Sequence, residues 1–442
     1  MSILISHKDR SYTYEQFQVL VDEAVQKLKS LGIGKHRVLI ISHVDLQIED
    51  FVWMDAVWVN GGRSSFLNQA RTEAEIDKLV EEYDPKAIII DNEIKVRETK
   101  SDYKILDGTV YDCKTSGTTG RTTYKFMPFW WLASYRKVHS GRGVTIEQGV
   151  DLIRKHLKHK RIVMAEINDS TSEYPPYNWF VVRAMGGHYH IINQSDDPKV
   201  EFNRHNCNWV STYPNALKRV IEKCQPGDIK LEGVQISGQN CPEEVLPKIR
   251  QWFDPYVITN NFGSSEGDLY LESINYKDTP YENFWKLKIL PHVAQAELRD
   301  GVLWYKHTGS DWYSDGDSAV QHEDSSFQFT VRENGDYVLG KEKIKVWVKP
   351  TENEVRQTVE GIKNVYMVQG PNLSKLLFYS GTSDIKKVVE SIQKLQKYKR
   401  PTKVYHVKDE IFYIQLKFSR VLLHETLDTN PELVLMSSEI AV

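Results

Sequence analysis

With 442 residues, 40% of them hydrophobic, the chain can bury a sizeable core and is long enough for about two or three domains. Its 57 Lys and Arg nearly balance 60 Asp and Glu, so a formal charge of -3 gives no whole-chain field to recruit nucleic acid or an anionic membrane. The four cysteines, Cys113, Cys207, Cys224 and Cys241, form no CxxC pair and make no disulfide scaffold, so they read as free thiols.

Apolar runs such as VLII and AIII fall far short of the roughly 20 residues that span a bilayer. The opening MSILISHKDR lacks the apolar stretch of a secretory signal. A soluble cytoplasmic protein with no membrane span and small, local partners is expected. Residues 14–31 place Phe17, Leu20, Val21, Ala24, Val25, Leu28 and Leu31 at a 3.6-residue period, which predicts an amphipathic helix stopped by Gly32. RVLIIS then reads as a buried strand, FVWMDAVWVNGG as a helix, TEAEIDKLVEEYDP as a helix with Thr72 and Glu75 at capping-box spacing, and KAIIID as a strand.

Strand and helix keep alternating through RIVMAEI, HYHIIN, WVSTYPNALKRVIEK, GVQISG, PEEVLPKIRQWF and YVITNNFG, the pattern of an α/β domain with largely parallel sheets. In GHYHI, His188 and His190 share one face of a strand; with no third ligand in view they read as core histidines. After about residue 300 the texture becomes strand-rich, with GVLWYKHTG, SFQFTVRENGDYVLGK and KIKVWVKP as strands and NG as a hairpin turn. A helix in SDIKKVVESIQKLQKYKRP and a strand in TKVYHV complete a smaller α+β unit.

The stretch KTSGTTGRTTYK concentrates glycine and hydroxyl residues whose backbone N–H groups and side chains can surround phosphate oxygens. It is not the G-x-x-x-x-G-K-[ST] loop, because Thr122 stands where the second glycine belongs. A second chemistry is legible in GSSEG, which satisfies the G-x-S-x-G elbow of an α/β-hydrolase with Ser265 as nucleophile, provided a helix follows it. DLYLESINY, which follows, reads as strand instead. A nucleotide-binding protein with a degraded site is a third reading.

TSGTTG followed by Lys125 resembles the phosphate-binding signature of the adenylate-forming superfamily: acyl-CoA synthetases, peptide synthetase adenylation domains and luciferases. The superfamily's other motifs follow in order. ISGQN is similar to its adenine turn, NNFGSSEG to its aromatic-Gly-x-Thr-Glu motif, WYSDGD to its Trp-x-x-Thr-Gly-Asp segment, GDYVLGKEKIKVWVKP to its hinge, and LKFSR to its C-terminal Gly-Lys-x-x-Arg segment. SYTYEQF resembles its N-terminal Thr-Tyr opening, so the likeness covers nearly the whole chain. Departures are Ser265 for threonine, Lys341 for the hinge arginine, Thr122 and Thr123 where the loop has Pro-Lys, and Leu416 for glycine.

The resemblance implies a large N-terminal α/β domain over residues 1–339, with mostly parallel sheets flanked by helices, and a small mobile α+β lid over 340–442. It implies that ATP and Mg²⁺ activate a small carboxylic acid to an acyl-adenylate, which passes to CoA, to the phosphopantetheine of a carrier protein, or to an amine. Thr115, Ser116, Gly117, Thr118, Thr119, Gly120 and Lys125 would hold phosphates, and Gly238, Gln239, Asn261, Phe262, Gly263 and Ser265 would surround the nucleotide. Glu266 would hold Mg²⁺, Asp317 the ribose, Lys341 the hinge, and Lys417 the reacting carboxylate and phosphate; Asp169 or Glu173 would meet a cationic group on the acid.

Overall fold

The computed structural model describes residues 2–42, 45–68, 76–77, 80–81, 84–99, 109–114, 124–128, 146–157, 161–167, 174–237, 241, 245–264, 268–290, 293–307, 312, 314, 317–332, 337–339, 345–370, 373–412, 423 and 430–440. The chain opens with a hairpin, β1 (Ile3–His7) and β2 (Arg10–Thr13), turned at Lys8, whose φ of 53° is left-handed. Helix α1 (Tyr14–Ser30) starts at a capping box: the Thr13 hydroxyl accepts from the Gln16 backbone N–H and the Gln16 side chain accepts from the Thr13 N–H. Phe17, Val21, Ala24, Val25 and Leu28 point inward as the periodicity predicts, while Leu31 is exposed.

Next come β3 (Arg37–Ser42), α2 (Ile48–Val59), β4 (Arg63–Asn68), β5 (Ala87–Ile90), β6 (Glu93–Val96), β7 (Thr109–Lys114) and β8 (Tyr124–Pro128). They build a six-stranded sheet ordered β6-β5-β3-β4-β7-β8, parallel at its centre and antiparallel at both edges. α2 is apolar nearly all round because it is buried nearly all round. Thr72 and Glu75 lie outside the described residues; in the helix expected there, Ile76, Asp77, Val80 and Glu81 are helical.

The alternation then runs α3 (Ile146–His156), β9 (Val163–Ile167), α4 (Tyr174–Ala184), β10 (His188–Ile192), α5 (Pro198–Arg204), β11 (Trp209–Thr212), α6 (Pro214–Lys223), β12 (Gly233–Ser237), α7 (Val245–Phe253), β13 (Val257–Ser264) and β14 (Asp268–Tyr276). With β15 (Lys288–Ile289), the strands form a nine-stranded sheet ordered β15-β14-β13-β12-β11-β9-β10-β1-β2. β1 and β9 to β13 are parallel, and their faces are buried, as short β-branched runs between helices require. One core runs from β1 and β10 through α1, α2 and α4 to β3 and β5, so helices are packed between the two large sheets. At its centre Trp179 meets Phe17 and Phe51 at ring distances of 5.1 and 5.3 Å.

The strand-rich part contains β16 (Val293–Arg299), β17 (Val302–His307), β18 (Asp317–Gln321) and β19 (Phe327–Arg332) in an antiparallel sheet. β20 (Tyr337–Leu339) pairs with β21 (Lys345–Trp347), not with β19. The NG of SFQFTVRENGDYVLGK therefore joins strands of different sheets, a correction to the expected hairpin: β19 already has β18 as its partner, and β20 turns to β21. KIKVWVKP is likewise a strand only to Trp347, after which α8 (Val348–Thr358) begins. β22 (Ile362–Gln369), β23 (Lys375–Gly381), α9 (Ile385–Lys394), β24 (Lys403–Val407) and β25 (Val434–Glu439) complete a C-terminal unit whose sheet is ordered β22-β23-β24-β25. Ile385, Val388 and Ile392 of α9 enter its core together with Val338 and Val355. Among the described residues, no helix is long and apolar enough to cross a membrane.

Candidate active site

In an open sheet of parallel strands, ligands bind in the crevice beyond the carboxyl ends, where the loops converge. The motif segments leave the large sheet at that end: residues 168–173 follow β9, 238–240 follow β12, and 265–267 follow β13. Residues 115–123 connect β7 to β8, and the flanking residues Lys114 and Tyr124 are partners in the antiparallel ladder. A strand–loop–strand connection is distinct from the strand–loop–helix of a P-loop, in agreement with the missing glycine.

Of the candidate nucleotide residues, Asn261 and Phe262 occupy the end of β13. Asn261 is buried and aligned with Ser237, the last residue of β12; its Nδ2 donates to Glu272 Oε1 on β14 at 3.0 Å. Burial pushes the Glu272 carboxyl up to about 7, against the lowering effect of the Asn261 hydrogen bond. The β13–β14 ladder shifts register between Phe262 and Gly263, a bulge that re-aims the strand end beside the segment carrying Ser265 and Glu266. Phe262 stacks on Phe329 of β19 with ring centroids 3.5 Å apart and planes 16° apart. Asp317, buried at 7% exposure, opens β18 opposite Arg332 of β19. Phe262, next to Asn261, is thus tied to the distant Asp317 through the β18–β19 pair.

Lys125 is a partner of Cys113 in the β7–β8 ladder. Thr115, Ser116, Gly117, Thr118, Thr119, Gly120, Asp169, Glu173, Gly238, Gln239, Ser265, Glu266, Lys341 and Lys417 lie outside the described residues. Their anchors bear on the hydrolase reading. Ser264 pairs with Asp268 and β13 continues into β14 as an antiparallel hairpin, so the GSSEG segment does not lead into the helix that a nucleophile elbow needs. That reading is overturned.

Residue-by-residue reading missed Glu166, Asn178 and Tyr189. Asn178 Nδ2 on α4 donates to Glu166 Oε2 on β9 at 2.8 Å, closing the base of the segment that holds Asp169 and Glu173. The Tyr189 hydroxyl also bonds Glu166, yet burial dominates and raises the Glu166 carboxyl to about 8. A glutamate inside VMAEI was the one signal available: a charged type in a run of otherwise apolar residues. A cleft of about 280 Å³ opens nearby, lined by Ile167, Ile192, Asn193, Arg219 and Lys223 and closed by Glu410 of the C-terminal unit. Beside it Lys218 Nζ donates to Asn364 Oδ1 at 3.1 Å, and Lys363 pairs with Glu222 at 3.3 Å, holding that unit against α6.

The fold is similar to that of solved adenylate-forming enzymes. An ATP-bound chimera of RpMatB and BxBclM matches with a TM-score of 0.68 at 16% identity, over 97% of this chain and 96% of that one. The o-succinylbenzoate CoA synthetase of Bacillus subtilis, in complex with its acyl-adenylate intermediate, matches with a TM-score of 0.69 at 14% identity, over 95% and 94%. The amide bond synthetase McbA of Marinactinospora thermotolerans matches with 0.57 at 15% identity, over 92% and 93%. No protein-family model matches the chain, and no curated protein matches it in sequence.

Proposed function

We propose that this chain is an adenylate-forming ligase: it joins a small carboxylic acid to the α-phosphate of ATP, releases pyrophosphate, and passes the acyl group to a thiol or an amine. The observation that carries the reading is the joining of Asn261, Phe262 and Asp317 through β18 and β19. Asn261 and Phe262 come from one motif and Asp317 from another, and their strands bring the two together. The buried carboxylate of Asp317 fits a ribose diol, and Phe262 with Phe329 offers an apolar wall beside it.

In this reading the segment 115–123 receives the β- and γ-phosphates, with Lys125 beside it. Gly238, Gln239 and Gly263 line the adenine, and Glu266 holds Mg²⁺, which offsets phosphate charge. Lys417 bridges the carboxylate and the α-phosphate as charge develops between them. The segment clasped by Glu166 and Asn178 presents Asp169 and Glu173 to the acid. The hinge is taken near Gly340 and Lys341, and residues 340–442 act as the lid. CoA, a carrier-protein phosphopantetheine or an amine is the acceptor, and the enzyme works in the cytoplasm.

The test is exchange of labelled pyrophosphate into ATP with pooled amino, aryl and fatty acids. Exchange that depends on one pool and is lost in Lys417→Ala, with ATP still bound, is the expected result. ATP binding without exchange in any pool overturns the ligase reading in favour of a nucleotide-binding protein.

A further inference from the structure

Sequence reading set His188 and His190 aside for want of a third ligand. Folding supplies it. α5 begins at the Asp197 cap and ends at His205, after which Asn206 turns the chain toward β11 with a left-handed φ of 54°. This brings the His205 ring to centroid distances of 4.9 Å from His188 and 4.7 Å from His190, and one ligand nitrogen from each of the three lies within 4.8 Å of the others.

The hydrogen bonds around these rings leave atoms over. Ser6, the register partner of His190 on β1, places its hydroxyl 2.6 Å from His188 Nε2 and 2.7 Å from His190 Nδ1. Its oxygen engages one nitrogen of each ring and leaves His188 Nδ1 and His190 Nε2. His190 Nε2 and His205 Nε2 are buried and make no hydrogen bond among the described residues, and His190 Nε2 faces Glu201 Oε2 at 3.2 Å. His190 is 0% exposed and Glu201 4% exposed. Buried polar atoms left unpaired are few in folded proteins, and three imidazoles gathered with such atoms among them point to a missing partner. A cation answers them, because each ring offers a lone pair.

We propose that His188, His190 and His205 bind a divalent late transition cation, with the Glu201 carboxylate beside His190, and that the ion fastens α5 to the β1–β10 end of the large sheet. Glu201 Oε2 stands 3.2 Å from His190 Nε2, the contact by which a carboxylate orients a ligand imidazole. Arg204 holds Glu201 Oε1 at 3.0 Å and leaves Oε2 to His190. Three imidazoles suit zinc, nickel or copper and disfavour magnesium or calcium. His205 is only partly buried and provides the way in.

The full chain, stripped with a chelator, is titrated with Co²⁺, whose visible absorption reports tetrahedral ligation. One equivalent per chain, displaced by one equivalent of Zn²⁺, is expected. Glu201→Gln weakens Co²⁺ about 10–100-fold, as loss of a carboxylate beside a ligand histidine does, and His205→Gln weakens it more. His322→Gln, in the strand-rich part, leaves it unchanged. Circular dichroism shows whether each variant is folded; if His205→Gln is not, Glu201→Gln carries the test. No tetrahedral spectrum in the unaltered chain, or the same spectrum and affinity in Glu201→Gln and His205→Gln, overturns the proposal.

Discussion

Replacing Glu166 with glutamine removes a charge while keeping an oxygen for Asn178 to donate to. Glu166 is 1% exposed, and burial raises its carboxyl from 4.5 to about 8. Because the folded pKa lies above the unfolded one, the folded chain keeps a proton that the unfolded chain releases. The stabilisation is therefore complete below about pH 4.5 and is lost as pH rises toward about 8. At about 1.36 kcal/mol per pH unit, the wild type loses about 4 kcal/mol between about pH 5 and about pH 8.5 through this group alone. Glu166→Gln does not titrate and escapes that loss, so it matches or falls below the wild type at low pH and exceeds it at high pH. Urea unfolding of both proteins at the two pH values, comparing the transition of the large unit, isolates the effect because every other titrating group is shared. A wild-type-minus-variant difference that stays constant with pH refutes the reasoning, and with it the buried neutral clasp at the base of residues 168–173.

Asp317→Asn should weaken ATP binding by about 1.5–3 kcal/mol, roughly 10- to 150-fold in Kd by calorimetry, since it removes a charge-assisted contact to the ribose. An unchanged Kd removes Asp317 from the site. Phe262→Ala should weaken ATP by about 2- to 13-fold, since the wall it forms with Phe329 is held by a stack worth about 0.5–1.5 kcal/mol; unaltered titration curves would place the nucleotide elsewhere. Asp169→Asn should shift selectivity among amino acids in the exchange assay, and identical ratios would end the idea of an ammonium contact there. Gly233→Ala should destabilise the large unit by about 1–3 kcal/mol in urea, because its Cβ would stand 2.1 Å from the fully buried Trp209 ring.

Much of the local structure was legible because it depends on neighbours along the chain. The 3.6-residue spacing from Phe17 to Leu28, the capping box at Thr13 and the short buried runs of β3, β5, β9 and β12 each carry their own period. NG misled because a turn signal marks a reversal and says nothing of which strand the next one pairs with; β20 paired forward to β21. The start of α8 was read as strand because VWV is β-branched and aromatic, and the helix behind it is held by burial of Val348 and Val355.

By itself the sequence determined the element types, the absence of a net field and an ordered set of motifs that resemble one superfamily, because composition, period and spacing are properties of adjacent residues. Only the tertiary structure decided that Phe262 meets Phe329, that Asn178 reaches Glu166, and that His205 joins His188 and His190. It also decided against Ser265 as an elbow, by pairing β13 with β14. These are contacts between side chains far apart in sequence, set by strand order, register and the angle at which a helix ends, and no local period encodes them.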